Sequence, residues 1–282
     1  MFSCKIENNK GDLLQLTNNR SYNLISIEGL LSPPVEISSI TATNRDGSIP
    51  TNIRAADRTI NISVAPKSPV EDSRQKLYKF FPIKKEVTIY FRNDKRDLKI
   101  SGIVEAIDGS LFEATQIIEI VIRCYNPFFK NKNESNIQLS QVISNFEFPF
   151  SIEEEGIEFS YIDKQLSRII ENTGEIETGL IIELEAMGTV ENPIIYNADN
   201  RSSFGLNFTM QSGDKIIIDT NTGTKKAELI RDGKTSNIIN SIKKDNTWLN
   251  LPTGSTVFTY SCDSGEENLY INFKFYLMFA GV

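Results

Sequence analysis

Histidine is absent from all 282 residues. That removes the usual general base near neutral pH, the imidazole metal ligand and every Ser-His or Cys-His nucleophile pair. Cysteine is scarce: Cys4, Cys124 and Cys262 lie far apart and offer no paired spacing for zinc. An odd number of thiols with no leader ahead of them reads as three reduced, mostly buried groups. The opening Met1-Phe2-Ser3-Cys4-Lys5-Ile6-Glu7 puts charges where a signal peptide needs an apolar stretch. Long apolar runs are missing too, and none approaches the roughly 18 residues of a membrane span. These absences lead to the expectation of a soluble protein, made in a cytoplasm, with no membrane insertion, cofactor, metal or catalytic group.

What is present is a core-forming chain, 39% hydrophobic and 24% charged. Its length favours two domains of roughly 100–150 residues each. Charge divides unevenly. Residues 1–130 hold 18 Lys+Arg and 15 Asp+Glu, a net of +3, whereas residues 131–282 hold 12 and 22, a net of −10, and together these make the overall −7. The polar stretch Lys130-Asn131-Lys132-Asn133-Glu134-Ser135-Asn136 marks the divide, just after Pro127 ends regular structure. The expected domains are therefore 1–130 and 131–282.

Period two dominates. Ile60, Ile62 and Val64 alternate with polar residues, as do Val87, Ile89 and Phe91, then Leu98 and Ile100, then Ile118, Ile120, Ile122 and Cys124. The longest alternation runs Leu269, Ile271, Phe273, Phe275, Leu277, Phe279. Each row places one set of side chains on a core and the other outward. Asp46-Gly47, Asp108-Gly109, Asn221-Thr222-Gly223 and Asp232-Gly233 supply turns. The chain reads as mainly β. One helix is expected between Ser68 and Pro82, with Ser68-Pro69-Val70-Glu71 as a capping box and Val70, Ser73, Leu77, Phe80 and Phe81 as its stripe. A second helical stretch is expected near Asp163–Glu171.

Candidate motifs mostly have structural explanations. Asp232-Gly233-Lys234-Thr235 ends like a phosphate loop, but Glu228 replaces the first glycine, so a hairpin turn is the natural reading. Glu153-Glu154-Glu155 could supply hydrolytic carboxylates, yet three consecutive side chains do not face one another across a cleft and read better as a solvated connection. Trp248 reads as a ring packed at a sheet edge, with stacking on a sugar or a base as its functional alternative. The acidic second half and the lack of a basic-aromatic stripe disfavour nucleic acid. Arg54, Arg58, Arg74, Arg92 and Arg96 suit inter-subunit contacts with carboxylates, against solvated surface charge as the commoner fate of any one.

An ordered series of residues then resembles a known family. It runs Tyr22-Asn23-Leu24, Ile27-Glu28-Gly29-Leu30, Pro33-Pro34, Asp46-Gly47, Arg54, Arg58-Thr59-Ile60, Arg74, Leu77-Tyr78 and Phe81-Pro82. It goes on through Arg96, Ile100-Ser101-Gly102-Ile103-Val104-Glu105, Phe112, Ile120 and Cys124-Tyr125-Asn126-Pro127-Phe128-Phe129. Asn192-Pro193-Ile194-Ile195, Gly213-Asp214-Lys215-Ile216-Ile217-Ile218-Asp219-Thr220, Trp248-Leu249-Asn250-Leu251-Pro252-Thr253-Gly254 and Gly281-Val282 complete it. This series resembles the distal tail protein (Dit) family of tailed bacteriophages. Thr253, inserted between Pro252 and Gly254, is the one departure.

The resemblance implies a structural protein and not an enzyme. It implies an N-terminal β-sandwich or split-barrel ring domain with one helix, and a C-terminal galectin-like, jelly-roll type β-sandwich. It further implies a ring, usually hexameric, at the end of the tail tube. Partners would be the tail tube protein, the tape-measure protein, a tail-tip, tail-fibre or tail-associated lysin hub, and peripheral baseplate or receptor-binding proteins. The location would be the virion tail tip or a phage tail-like bacteriocin particle, after synthesis in the bacterial host cytoplasm. The residues assigned to the inter-subunit interface are Glu28, Gly29, Leu30, Arg54, Arg58 and Arg96. A carbohydrate-binding module using Trp248 and a carboxylate-based wall hydrolase are the competing functions.

Overall fold

A computed structural model describes residues 2–41, 46–113, 115–144, 160–164 and 167–282. The chain forms two compact units. One holds Met1–Lys132 together with Met278–Val282, and the other holds Asn133–Leu277. The sequence division at 130/131 does not include this return of the last residues to the first unit. Among the described residues the chain is mainly β, with one α-helix. No helix among the described residues is long and apolar enough to cross a membrane.

The first unit is built on strands β1 (Ser3–Glu7), β2 (Leu13–Gln15), β3 (Tyr22–Glu28), β4 (Val35–Thr41), β5 (Ser48–Ala55) and β6 (Arg58–Pro66). Helix α1 (Val70–Phe80) follows, then β7 (Glu86–Arg92), β8 (Asp97–Gly109), β9 (Ile118–Cys124) and β10 (Phe129–Asn131). The main sheet has the order β2-β1-β7-β8-β9-β6-β3, and β10 joins it through β8 and pairs in turn with the returning strand Met278–Phe279. The period-two rows explain this sheet. Cys4 and Ile6, Val87 and Ile89, Ile120 and Ile122, and Ile60 and Ile62 all face one core cluster. Burying each such branched side chain contributes about 1.5–3 kcal/mol relative to leaving it exposed.

Helix α1 forms where the stripe placed it and buries Ser73 and Leu77, with Phe81 just beyond its end. Its start differs from the expected capping box. Pro69 occupies the N-cap position, no side chain caps the first turn, and Glu71 and Asp72 are the acidic residues at that positive end. The buried Tyr22 hydroxyl donates to the Ser73 carbonyl at 3.1 Å and ties the helix to β3.

The second unit packs two sheets on one core. The larger is ordered Ser135–Gln138, Leu269–Phe275, Ile181–Ala186, Lys215–Asp219, Lys226–Arg231, Lys234–Asn237. The smaller runs Ser167–Asn172, Gly254–Ser261, Ile194–Asn197, Ser203–Gly205. Leu184, Ile216, Ile218 and Ile271 from the first meet Ile170, Ile195, Phe204 and Tyr260 from the second. The Phe258 and Phe273 rings, one from each sheet, lie 5.1 Å apart. This is a β-sandwich.

Asp232 and Gly233 both have positive φ, 50° and 71°, between the paired Arg231 and Lys234. That is the two-residue type I′ turn that matches strand twist, so the segment is a hairpin. The helix expected near Asp163–Glu171 is not formed. Ser160–Lys164 and Ser167–Asn172 are strands, the second held by pairing with Gly254–Ser261. The long alternation near the end also divides. Leu269–Phe275 belongs to the sandwich, and Met278–Phe279 pairs with β10 of the first unit.

Candidate interaction surface

Sequence reasoning placed six residues at an interface, and four of them gather at the end of β3. Glu28 is the exposed last residue of β3, opposite Asn61 of β6. Gly29 follows with φ +83°, and a Cβ there would lie 2.1 Å from the Thr59 carbonyl oxygen, so only glycine fits. Leu30 packs partly buried against the core. Arg58, the first residue of β6, is 1% exposed.

A buried guanidinium without a carboxylate must find acceptors elsewhere. Arg58 Nε donates to the Pro127 carbonyl at 2.6 Å, and one terminal nitrogen donates to Gly29 at 2.6 Å and to Leu31. The other terminal nitrogen donates to the carbonyl of Ala280. Its plane sits over the Phe129 ring, 4.6 Å from the centroid, a cation–π contact inside the core. Burial holds its pKa below the ordinary arginine value, opposed by the Cys124 thiol. Arg58 is thus engaged within its own unit.

Arg96 reaches the same returning segment. It donates to the Gly281 carbonyl at 3.0 Å and lies over the Phe279 ring, 4.5 Å from the centroid. The Val282 N–H donates to the Leu30 carbonyl at 3.2 Å. Arg54 stands apart on β5, where Nε and a terminal nitrogen meet Glu36 of β4 at 2.8 and 2.7 Å. Both partners are exposed, so this pair contributes little stability. Arg74, on α1, pairs with Glu71 at 2.5 Å.

The feature the sequence did not single out is the hairpin of β4 and β5. These strands form a two-stranded sheet of their own, and each residue of β4 is exposed. Ile37 faces Ile53 across it and Val35 faces Ala55, while nearer the turn Ile40 faces Ile49. Ile37 and Ile53 are 62% and 63% exposed. An isolated two-stranded hairpin is marginal in water, and an apolar face on one marks a contact surface. Its signal was present in the Asp46-Gly47 turn and in the apolar positions Val35, Ile37, Ile49 and Ile53, but such positions do not say whether an apolar face is covered. At the β8–β9 end, Leu111 and the fully exposed Phe112 add further uncovered apolar area.

Trp248 belongs to the second unit. Its ring lies 5.1 Å from that of Phe204, in the edge strand Ser203–Gly205, and the Lys225 ammonium is 5.5 Å from its centroid. Glu153, Glu154 and Glu155 lie outside the described residues. Among the described residues no group of three or more Cys, Asp or Glu side chains is arranged to hold a metal ion. Burial pushes Cys4 and Cys124 up to about 12, and burial followed by Glu266, Asp263 and Glu267 pushes Cys262 equally far. None of the three is a ready nucleophile at neutral pH.

Comparison with known proteins agrees with the resemblance. Residues 173–275 match the family model of the siphovirus-type tail component, C-terminal domain. No curated protein sequence matches the chain. The crystal structure of SPP1 Dit, described as a paradigm of the hub adsorption apparatus in phages infecting Gram-positive hosts, has a TM-score of 0.68 at 12% identity, over 99% of each chain. A chain of the phage P2 baseplate in its activated, calcium-bound conformation has a TM-score of 0.56 at 10% identity, over 98% of each chain. The resemblance to the distal tail protein family is borne out, over part of the second unit by sequence and over the whole chain by fold.

Proposed function

We propose that this chain, whose residues 173–275 carry the C-terminal domain of siphovirus-type tail components, is a structural hub at the distal end of a tail. Copies of the first unit would associate into a ring, hexameric in the family it resembles, with the second unit available to other tail parts. The observation that carries this reading is the uncovered β4–β5 hairpin. The main sheet is open, with β2 and β3 at its edges. A projecting hairpin on one side and a free sheet edge on another are two different patches, as a heterologous, closing ring requires.

The tail tube and tape-measure proteins, a tip or lysin hub and receptor-binding proteins are the partners such a hub would hold. The same role would serve a phage tail-like bacteriocin particle. Fold likeness to SPP1 Dit supports the hub role, and the absence of histidine together with the high thiol pKa values gives no support to a nucleophilic enzyme.

The test is electron microscopy of the purified chain and of particles labelled with antibody against it. Rings, and label at the distal tail end, are expected. Label confined to another part of the particle overturns the reading. The double variant Ile37→Asp, Ile53→Asp should abolish self-association while leaving the fold intact, since both side chains are exposed.

A further inference from the structure

The root of the hairpin is held by residues far away in sequence. Gly29, Leu30 and Leu31 connect β3 to the approach to β4, and three separate contacts bind them to other parts of the first unit. Arg58 donates to the carbonyls of both Gly29 and Leu31. The Val282 N–H donates to Leu30. Gly281 lies so close that a Cβ on it would meet the Leu30 carbonyl oxygen at 3.2 Å and Leu31 at 3.4 Å. Arg58 also grips the Ala280 carbonyl, so a single guanidinium joins the hairpin root to the returning segment. Arg96 secures that segment from its other side, through Gly281 and the Phe279 ring. Met278 and Phe279 are paired with β10 as its start.

Among the described residues the hairpin has no sheet neighbour to orient it. Its direction is set by its two connections: the root through Leu31, and the short link from β5 to Arg58 at the start of β6. Arg58 is therefore at one connection and hydrogen-bonded to the other. A lysine could keep the charge but not the planar fork that serves several carbonyls at once.

We propose that Arg58 and residues 280–282 form a clasp that positions the hairpin for self-association. Arg58 is then a positioning residue, buried within its own subunit, and not an inter-subunit contact. The clasp segment follows the second unit in the chain, so the hairpin is fixed only after that unit has been made. A chain ending before residue 278 would carry the hairpin and lack its lock. This inference rests on the hairpin reading above and extends it with a control on assembly.

The experiment compares the full chain with Arg58→Lys and with a milder variant lacking only Val282, which keeps the Ala280 carbonyl on Arg58 and removes the N–H donated to Leu30. Hydrogen exchange is measured on all three as monomers, and self-association separately at matched concentration. Both variants should raise exchange over residues 29–41 and 48–55 by roughly tenfold or more, with β7 and β8 protected as before. Self-association should weaken in the same order. Unchanged exchange in the hairpin, or an equal rise throughout the first unit, overturns the clasp. The double variant Ile37→Asp, Ile53→Asp separates the two ideas. If it self-associates like the unaltered chain, the hairpin reading fails, while the exchange result still decides whether the clasp exists.

Discussion

The Arg58 guanidinium donates a hydrogen bond to the carbonyl of Ala280, 222 positions further along the chain. An arginine that is 1% exposed and donates to four backbone carbonyls is rare enough to require a reason. The reason is geometric. Three stretches of chain, around residues 29–31, 127 and 280, present carbonyls to one point, and a planar fork on an aromatic ring is the side chain that can serve them together.

Replacing Arg58 by methionine keeps much of the volume and removes a charged donor shared by four backbone carbonyls. The expected loss is about 3 kcal/mol from the first unit, given several charge-assisted hydrogen bonds lost together. Urea denaturation followed by hydrogen exchange in β6 and β9 measures it. A loss under about 1 kcal/mol would mean that water takes over the guanidinium's bonds.

Asp214 gives the second unit a pH dependence. Its buried carboxylate is held by Arg231 through Nε at 2.7 Å and a terminal nitrogen at 2.5 Å, and it accepts the Gln211 N–H at 2.7 Å. The Arg231 hydrogen bonds hold its pKa below the ordinary value against the opposing effect of burial. A depressed carboxylate contributes stability fully above the unfolded aspartate value of about 3.9 and loses it as pH falls through the folded value. Asp214→Asn should therefore cost about 2 kcal/mol at pH 7 and much less at strongly acidic pH. Parallel denaturation curves for the two proteins, separated equally at every pH, would remove the assignment.

The thiols should be nearly silent in the native protein. With all three at about 12, alkylation by iodoacetamide at pH 8 should be slow, and unfolding should release three reactive groups. Cys262 is the least buried and should react first, and peptide mapping shows the order. Rapid native labelling of Cys4 or Cys124 would contradict their burial.

Trp248 is the sole tryptophan, so its fluorescence reports on the second unit alone. Trp248→Ala removes the contact with Phe204 and the Lys225 cation, and an expected 1–3 kcal/mol, roughly, is lost from that unit. A glycan array run on the variant separates packing from recognition. Sugar binding that disappears while stability holds would favour a carbohydrate site.

Much of the fold was legible because strand patterning is local. The rows through Ile60, Ile89 and Ile120 each mark their own core face, and the Asp232-Gly233 turn follows from the backbone freedom of two adjacent residues. Helix α1 could be located by its stripe, but its first turn could not, because Pro69 takes the position assigned to Ser68. Near Asp163–Glu171 local spacing was weak, and pairing with Gly254–Ser261 decided on a strand.

The sequence by itself determined a mainly β chain, the chemistry excluded by the missing histidine and the family it resembles. Only the tertiary structure decided that Arg58 is enclosed, that Ile37 and Ile53 are uncovered and that the last residues return to the first unit. Alternation specifies that a strand has two faces, but what lies against each face depends on segments tens or hundreds of residues away. Carbonyl groups are carried by every residue and leave no mark in composition, so a site built from them emerges only when the folded chain brings them together.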